Sequence, residues 1–209
     1  MNEQQLREEY LIRYESILKP LAIRISHQLQ DHLNGVEHID RVSSRAKGAE
    51  SFITKALKAS DGERKYERPF EQIQDIVAAR VIVFYKQDVD VVEEIVKRYY
   101  MSIEARDLIP ENEKEFGYVG KHFILAIPKD LYEDDSDLSK TPVFFELQIK
   151  TLFQHAWSEA SHDLAYKQDV ELTSLQKRMV AFTAAQSWGA DLQFAQLYSE
   201  LNSSQPERK

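Results

Sequence analysis

The sequence predicts an α+β fold: a mixed β-sheet of about five strands flanked by helices, with helical extensions at the N- and C-termini. Three observations predict it. Apolar residues recur at helical spacing near the N-terminus, the period shortens to that of strands from Ile76 onward, and it lengthens again after Thr151.

Each element follows from its own pattern. Leu6, Tyr10, Leu11 and Tyr14, then Leu21, Ile25 and Leu29, predict helices over 3–18 and 20–35, separated near Lys19-Pro20, with Asn34-Gly35 ending the second. A third helix is expected from about Ser44 to Ala59, stopped by Ser60-Asp61-Gly62. The β-branched run from Ile76 to Tyr85 reads as a strand covered on both faces. Asp88 is placed to cap a helix through Tyr100, with Val89, Val92, Ile95 and Val96 on its inner stripe. Strands follow over Ser102–Ile109, Tyr118–Ile127 and Val143–Lys150, with an acidic loop over 128–142. Thr151 is a cap for a helix to about Tyr166, and a last long helix covers roughly 171–200.

Composition narrows the function classes. The chain has 209 residues, 27 Lys+Arg against 35 Asp+Glu, and no Cys, so disulfides, thiolate metal sites and cysteine nucleophiles are excluded. Its 43% hydrophobic and 30% charged residues are those of a folded globular chain. Apolar runs such as 76–85 are far too short for a membrane span, and MNEQQLREEY has no apolar core, so a cytoplasmic protein is expected. A net charge of -8 argues against general nucleic-acid coating while leaving room for a local basic site.

Polar residues interrupt the pattern at informative places. In 143–150, Phe145, Leu147 and Ile149 point one way, and Phe144, Glu146, Gln148 and Lys150 the other; Tyr118, Gly120 and His122 share a face of their strand. Arg80 interrupts its apolar strand, and Asp75 stands at the start. If these strands are neighbours, one sheet face carries a polar site. Singly, each has a plainer explanation: Glu146 on a solvated face, Arg80 paired with Asp75, His122 as a satisfied histidine. Lys47, Ser51 and Lys55 fall four apart on the expected third helix, with Arg45 near its start, and 41–65 holds seven basic residues against three acids. Alone, this stretch reads most simply as a solvated charged face; the alternative is a phosphate clamp. Two carboxylates, several cations and an aromatic face are what phosphoryl transfer on nucleotides requires, and no P-loop or kinase glycine loop is present.

Four stretches, in order, resemble the synthetase domain of the RelA/SpoT family, the enzymes that make (p)ppGpp. Arg45-Ala-Lys47-Gly-Ala-Glu-Ser51-Phe-Ile-Thr-Lys55 is similar to R-x-K-x-x-x-S-x-x-x-K; Asp75-Ile-Val-Ala-Ala-Arg80 resembles the family's Asp-to-Arg strand. Lys114-Glu-Phe-Gly117-Tyr118-Val-Gly-Lys-His122 matches K-P-N-G-Y-x-S-x-H at Lys, Gly, Tyr and His, and Glu146-Leu-Gln148-Ile-Lys150-Thr151 is close to E-V-Q-I-R-T. Glu159, His162, Tyr166 and Lys167 follow at family-like spacing.

The resemblance implies transfer of the β,γ-pyrophosphate of ATP to the 3'-OH of GDP or GTP, with Mg2+ as cofactor. By position, Asp75 and Glu146 would bind the metal, Glu146 also helping to deprotonate the hydroxyl, with His122 near the reacting groups. Arg45 would stack on adenine; Lys47, Ser51, Lys55 and Arg80 would bind ATP. Tyr118 would stack on guanine, with Lys114, Arg106 and Gln148 on the acceptor nucleotide. The implied domains are an N-terminal helical extension (1–40), a nucleotidyltransferase-like synthetase domain (41–168), and a C-terminal helix with a frayed tail (169–209). No hydrolase half is expected, so the resemblance is to the small, synthetase-only members, for which a homo-oligomer is one option. Gly120 replaces the family's Ser, Glu115-Phe116 its Pro-Asn, and Lys150 its Arg. The first two flank Tyr118, so alternatives stay open: the same fold with an adenine nucleotide or a tRNA 3' end as acceptor, or an inactive binding module.

Overall fold

In the computed structural model, residues 2–60, 62–110, 112, 115–117, 120–132, 137–166 and 172–203 are described. The chain opens with α1 (Glu3–Arg13), whose Asn2 accepts from the Gln5 N–H while the Gln5 side chain accepts from the Asn2 N–H. The expected break at Lys19-Pro20 is absent. A π-helical turn over Tyr14–Leu18 runs directly into α2 (Lys19–His32), and the wider turn accommodates a proline that has no N–H to give. Beyond it, Gly35 takes φ +80°, a conformation in which a side chain is strained.

The largest departure from expectation comes next. Residues 39–46 form a strand, β1 (Ile39–Ala46), where the sequence suggested the start of a helix, and the helix that follows, α3 (Ala49–Ala56), is correspondingly short. The reason is tertiary: β1 finds an antiparallel partner, and over 41–46 its exposure alternates with period two, Arg41, Ser43 and Arg45 outward and Val42, Ser44 and Ala46 inward. Ser44 also donates to the Ala22 carbonyl of α2.

A two-stranded ribbon, β2 (Ala59–Ser60) with β3 (Glu63–Arg64), and a short helix α4 (Pro69–Gln72) lead to β4 (Val77–Val83). Helix α5 (Lys86–Tyr99) begins three residues earlier than expected: Tyr85 is the cap, and Asp88, three residues on, accepts from the Tyr85 N–H at 3.0 Å. Then come β5 (Ser102–Leu108), β6 (Gly120–Ala126), β7 (Phe144–Thr151), α6 (Leu152–Tyr166) and α7 (Ser174–Ser203). As expected, Thr151 caps α6, its Oγ1 accepting from the Gln154 N–H at 3.1 Å.

The strand order is β1-β4-β7-β6-β5, with β4 and β7 parallel and every other pair antiparallel, so the sheet is mixed and five-stranded. One face carries Val77, Ala79, Val81, Phe145, Leu147, Ile149, Phe123 and Leu125, all buried with Leu21, Ile25 and Leu29 of α2 and Val92 and Val96 of α5. The helical N-terminus therefore shares the sheet's core, and Tyr10 stacks on Phe52 of α3 at 3.9 Å between centroids. The opposite face is polar and lies against α6. Among the described residues, no helix is long and apolar enough to cross a membrane.

Candidate active site

Strand register builds the polar face. Across the sheet, Ser43, Arg80, Gln148, His122 and Arg106 stand on one rung, and Arg45, Ala78, Glu146 and Ile124 on the next. Directly paired residues share a face, so residues more than 60 positions apart converge without any loop to position them. The face opens on a cavity of about 710 Å3 lined by Arg45, Asp75, Arg80, His122, Glu146, Gln148 and Lys150, and closed from above by Trp157, Ser158, Glu159 and His162 of α6.

Asp75 sits just before β4 and is held by two lysines: Lys47 Nζ lies 2.7 Å from Oδ2 and Lys55 Nζ 3.0 Å from Oδ1. Burial pushes this carboxyl upward, but the two ammonium groups outweigh it and hold it below the ordinary carboxylate range. Lys47 is thus not on a helical stripe with Ser51 and Lys55. It lies between β1 and α3 and reaches Asp75 from the strand side, while Lys55 reaches it from the helix. Ser51 is exposed on the first turn of α3, outside the cavity lining.

Glu146 is supported differently. His122 Nδ1 lies 3.0 Å from Oε1, and the Gln148 amide donates to Oε2 at 3.1 Å. Burial and the charge of Asp75 push the carboxyl up; His122 and Gln148 prevail and keep it low. Both carboxylates are therefore ionised at neutral pH in one cavity. Hard oxygen donors on two ionised carboxylates, with room for further ligands, fit Mg2+, which keeps waters and phosphate oxygens as its remaining ligands.

Arg80 does not pair with Asp75, as its place in the sequence suggested. Its Nη1 contacts Glu159 Oε1 at 2.8 Å and His155 Nδ1 at 3.3 Å, both on α6. Arg106 shares the His122 rung, but its side chain is exposed and paired with Glu104. Lys114, Tyr118 and Lys167 lie outside the described residues. Sequence reasoning missed His155, Trp157 and Ser158 as site residues. For His155 and Ser158 the signal is the spacing of 155, 158, 159 and 162 along one side of a helix that follows directly from the Glu146 strand; Trp157 has no such signal.

The fold and the site define a class: a mixed-sheet domain with two ionised carboxylates and a surround of cations, suited to nucleotide phosphates. The chain belongs to the RelA/SpoT family, since the model of the region found in RelA/SpoT proteins matches residues 44–171. It is 26% identical over 164 residues to the GTP pyrophosphokinase YjbM of Bacillus subtilis strain 168, covering 77% of this chain and 73% of that one. It is also 26% identical over 161 residues to GTP pyrophosphokinase YwaC of the same strain, covering 75% and 73%. In structure it is similar to small alarmone synthetase 1 of B. subtilis bound to its product pppGpp, with TM-score 0.71 and 22% identity over 96% of this chain and 100% of that one. Small alarmone synthetase 2 of B. subtilis gives 0.70 and 24% over 92% and 97%.

Proposed function

We propose that this chain is a pyrophosphokinase that transfers the β,γ-pyrophosphate of ATP to the 3'-OH of GDP or GTP, making (p)ppGpp. The observation that carries the reading is the convergence of Asp75 and Glu146, both ionised, on one cavity with Arg45, Arg80 and Lys150. Family membership and the GTP pyrophosphokinase relatives support it.

The reaction breaks one bond and makes one. The acceptor's 3'-oxygen attacks the β-phosphorus of ATP, the bond from that phosphorus to the α,β-bridging oxygen breaks, and AMP leaves with the electron pair. Glu146 orients the attacking hydroxyl and takes its proton, with His122 at 3.0 Å to share it. Gln148 fixes the second oxygen of Glu146. Arg80, with Arg45, Lys47 and Lys55, offsets charge on the ATP polyphosphate, and such positioning and neutralisation account for most catalysis in phosphoryl transfer. Arg45 stacks on adenine; Ser51, exposed outside the cavity lining, is not given a part in holding the donor phosphates. On the acceptor, Tyr118 stacks on guanine, and Lys114 and Arg106 hold phosphates. Mg2+, held by Asp75 and Glu146, supplies further charge neutralisation at the transferring group when bound. The catalytic unit spans 41–168 with helical extensions on either side. The exposed apolar residues of α7, among them Leu175, Met179, Phe182 and Leu197, mark a contact surface for a second copy of this chain.

The test is to incubate the protein with labelled ATP, Mg2+ and, separately, GDP, GTP, ADP or deacylated tRNA, beside Glu146→Gln. A 3'-pyrophosphorylated guanine nucleotide is expected, with turnover at least about 1000-fold lower in the variant. Near-normal turnover by Glu146→Gln, or product only on ADP or tRNA, would overturn the assignment.

A further inference from the structure

Lys150 stands where the period-two alternation of β7 points it into the reaction cavity, two residues beyond Gln148, yet its residue is only 2% exposed. Its Nζ donates to Ser158 Oγ at 3.1 Å, and Ser158 Oγ donates to the His155 carbonyl at 3.0 Å. Ser158 lies between His155 and Glu159, the two α6 residues that contact Arg80. A neutral side chain would make the same bond to Ser158 without the cost of burying an ammonium. Arg80 and Lys150 moreover disfavour one another's charge. Glu159 and Glu146 offset part of this repulsion, and a polyanion entering between the two cations stabilises both further.

We propose that Lys150 is a positioning residue of the pyrophosphoryl transfer, pinning α6 to β7 and holding a positive charge beside Arg80 that is completed by a proton taken up when the donor polyphosphate binds. The inference rests on the pyrophosphokinase reading of the same cavity. The charged groups that act on Lys150 are Arg80 from β4, Glu159 from α6 and Glu146 from its own strand. Arg41 of β1 stands on the same rung across Ile82, His122 of β6 on the neighbouring rung, and His155 of α6 feels the Lys150 charge. Burial and Arg80 pull the Lys150 ammonium down to about 8, against the opposing pull of Glu159 and Glu146. His155, lowered by burial and Arg80, is neutral well below that pH and does not supply such a proton. An arginine in place of Lys150 would be charged throughout.

The test measures binding as well as turnover. A non-hydrolysable ATP analogue is titrated by calorimetry in Mg2+-free solution at pH 7 to 9.5, in buffers of different ionisation enthalpy. For the wild type, binding above pH 8 is expected to take up close to one proton and to weaken up to tenfold per pH unit. Lys150→Arg should bind without uptake, with its alkaline limb of kcat/KM moved upward. Lys150→Gln, which keeps a donor for Ser158, should fold normally and bind weakly at every pH. Wild-type binding with no proton uptake, or a Lys150→Gln profile identical to wild type, overturns the inference. Proton uptake without any pyrophosphorylated product would overturn the pyrophosphokinase reading instead.

Discussion

Asp75 and Glu146 stay ionised for different local reasons, and the two respond differently to substitution. Asp75 neutralises Lys47 and Lys55, so Asp75→Asn leaves two ammonium groups facing one another. We expect activity to fall at least about 100-fold, and stability by about 1–3 kcal/mol, read as a lower urea midpoint at unchanged m. Because both carboxyls titrate lower in the folded chain than unfolded, their contribution to stability is present above the unfolded value, near pH 4, and is lost as pH falls through the lower folded one. Midpoints measured from pH 7 down to pH 3 should therefore drop steeply below about pH 4, and less steeply in Asp75→Asn. A variant with the wild-type slope would show that Asp75 is not the group responsible.

At the scale of elements, the junction of β7, α6 and α7 turns on Thr151. It caps α6 and also donates to Asp191 Oδ2 of α7 at 2.8 Å. The other Asp191 oxygen is buried with no hydrogen-bond partner, and burial pushes this carboxyl up to about 6, against the smaller effects of Thr151 and Lys86. A raised folded value means that the folded chain keeps a proton the unfolded chain has released. The associated stability is present below about pH 4 and is lost as pH rises through 6. Asp191→Asn retains an acceptor for Thr151, so its melting temperature should exceed wild type at pH 7–8, by the equivalent of about 1–3 kcal/mol, and match it at pH 4. Thr151→Val should lose about 1–2 kcal/mol across that range through the missing cap. An equal gain for Asp191→Asn at both pH values would show that the buried charge is not the cause. The same junction sets α6 over the cavity, so the helix that carries His155, Ser158 and Glu159 is anchored at the strand that carries Glu146.

For the whole molecule, α7 leaves Leu175, Met179, Phe182, Phe194, Leu197 and Leu201 exposed along 30 residues. Light scattering should give a mass that is a multiple of 24.4 kDa, and Phe182→Asp with Leu197→Asp should reduce it. A monomer in the wild type would refute the contact surface proposed for this helix. Apart from the first strand, local pattern alone was enough for the order of helices, sheet strands and helices, for the inward face of β7, and for Thr151 as a cap, because these depend on residues within one segment. Arg80 and Glu146 were legible as polar interruptions of strand patterns, whereas the roles of Asp75, Arg45, Lys47 and Lys55 came only with the family resemblance, since alone their stretch reads as a solvated charged face. What the tertiary structure decided was partnership. Ile39–Ala46 is a strand only because β4 lies beside it, Pro20 continues a helix only because a π turn precedes it, and Arg80 meets Glu159 rather than Asp75 only because α6 folds over the sheet. A sequence specifies which faces are polar and which apolar; which faces meet depends on contacts between residues far apart along the chain, and no local period encodes those.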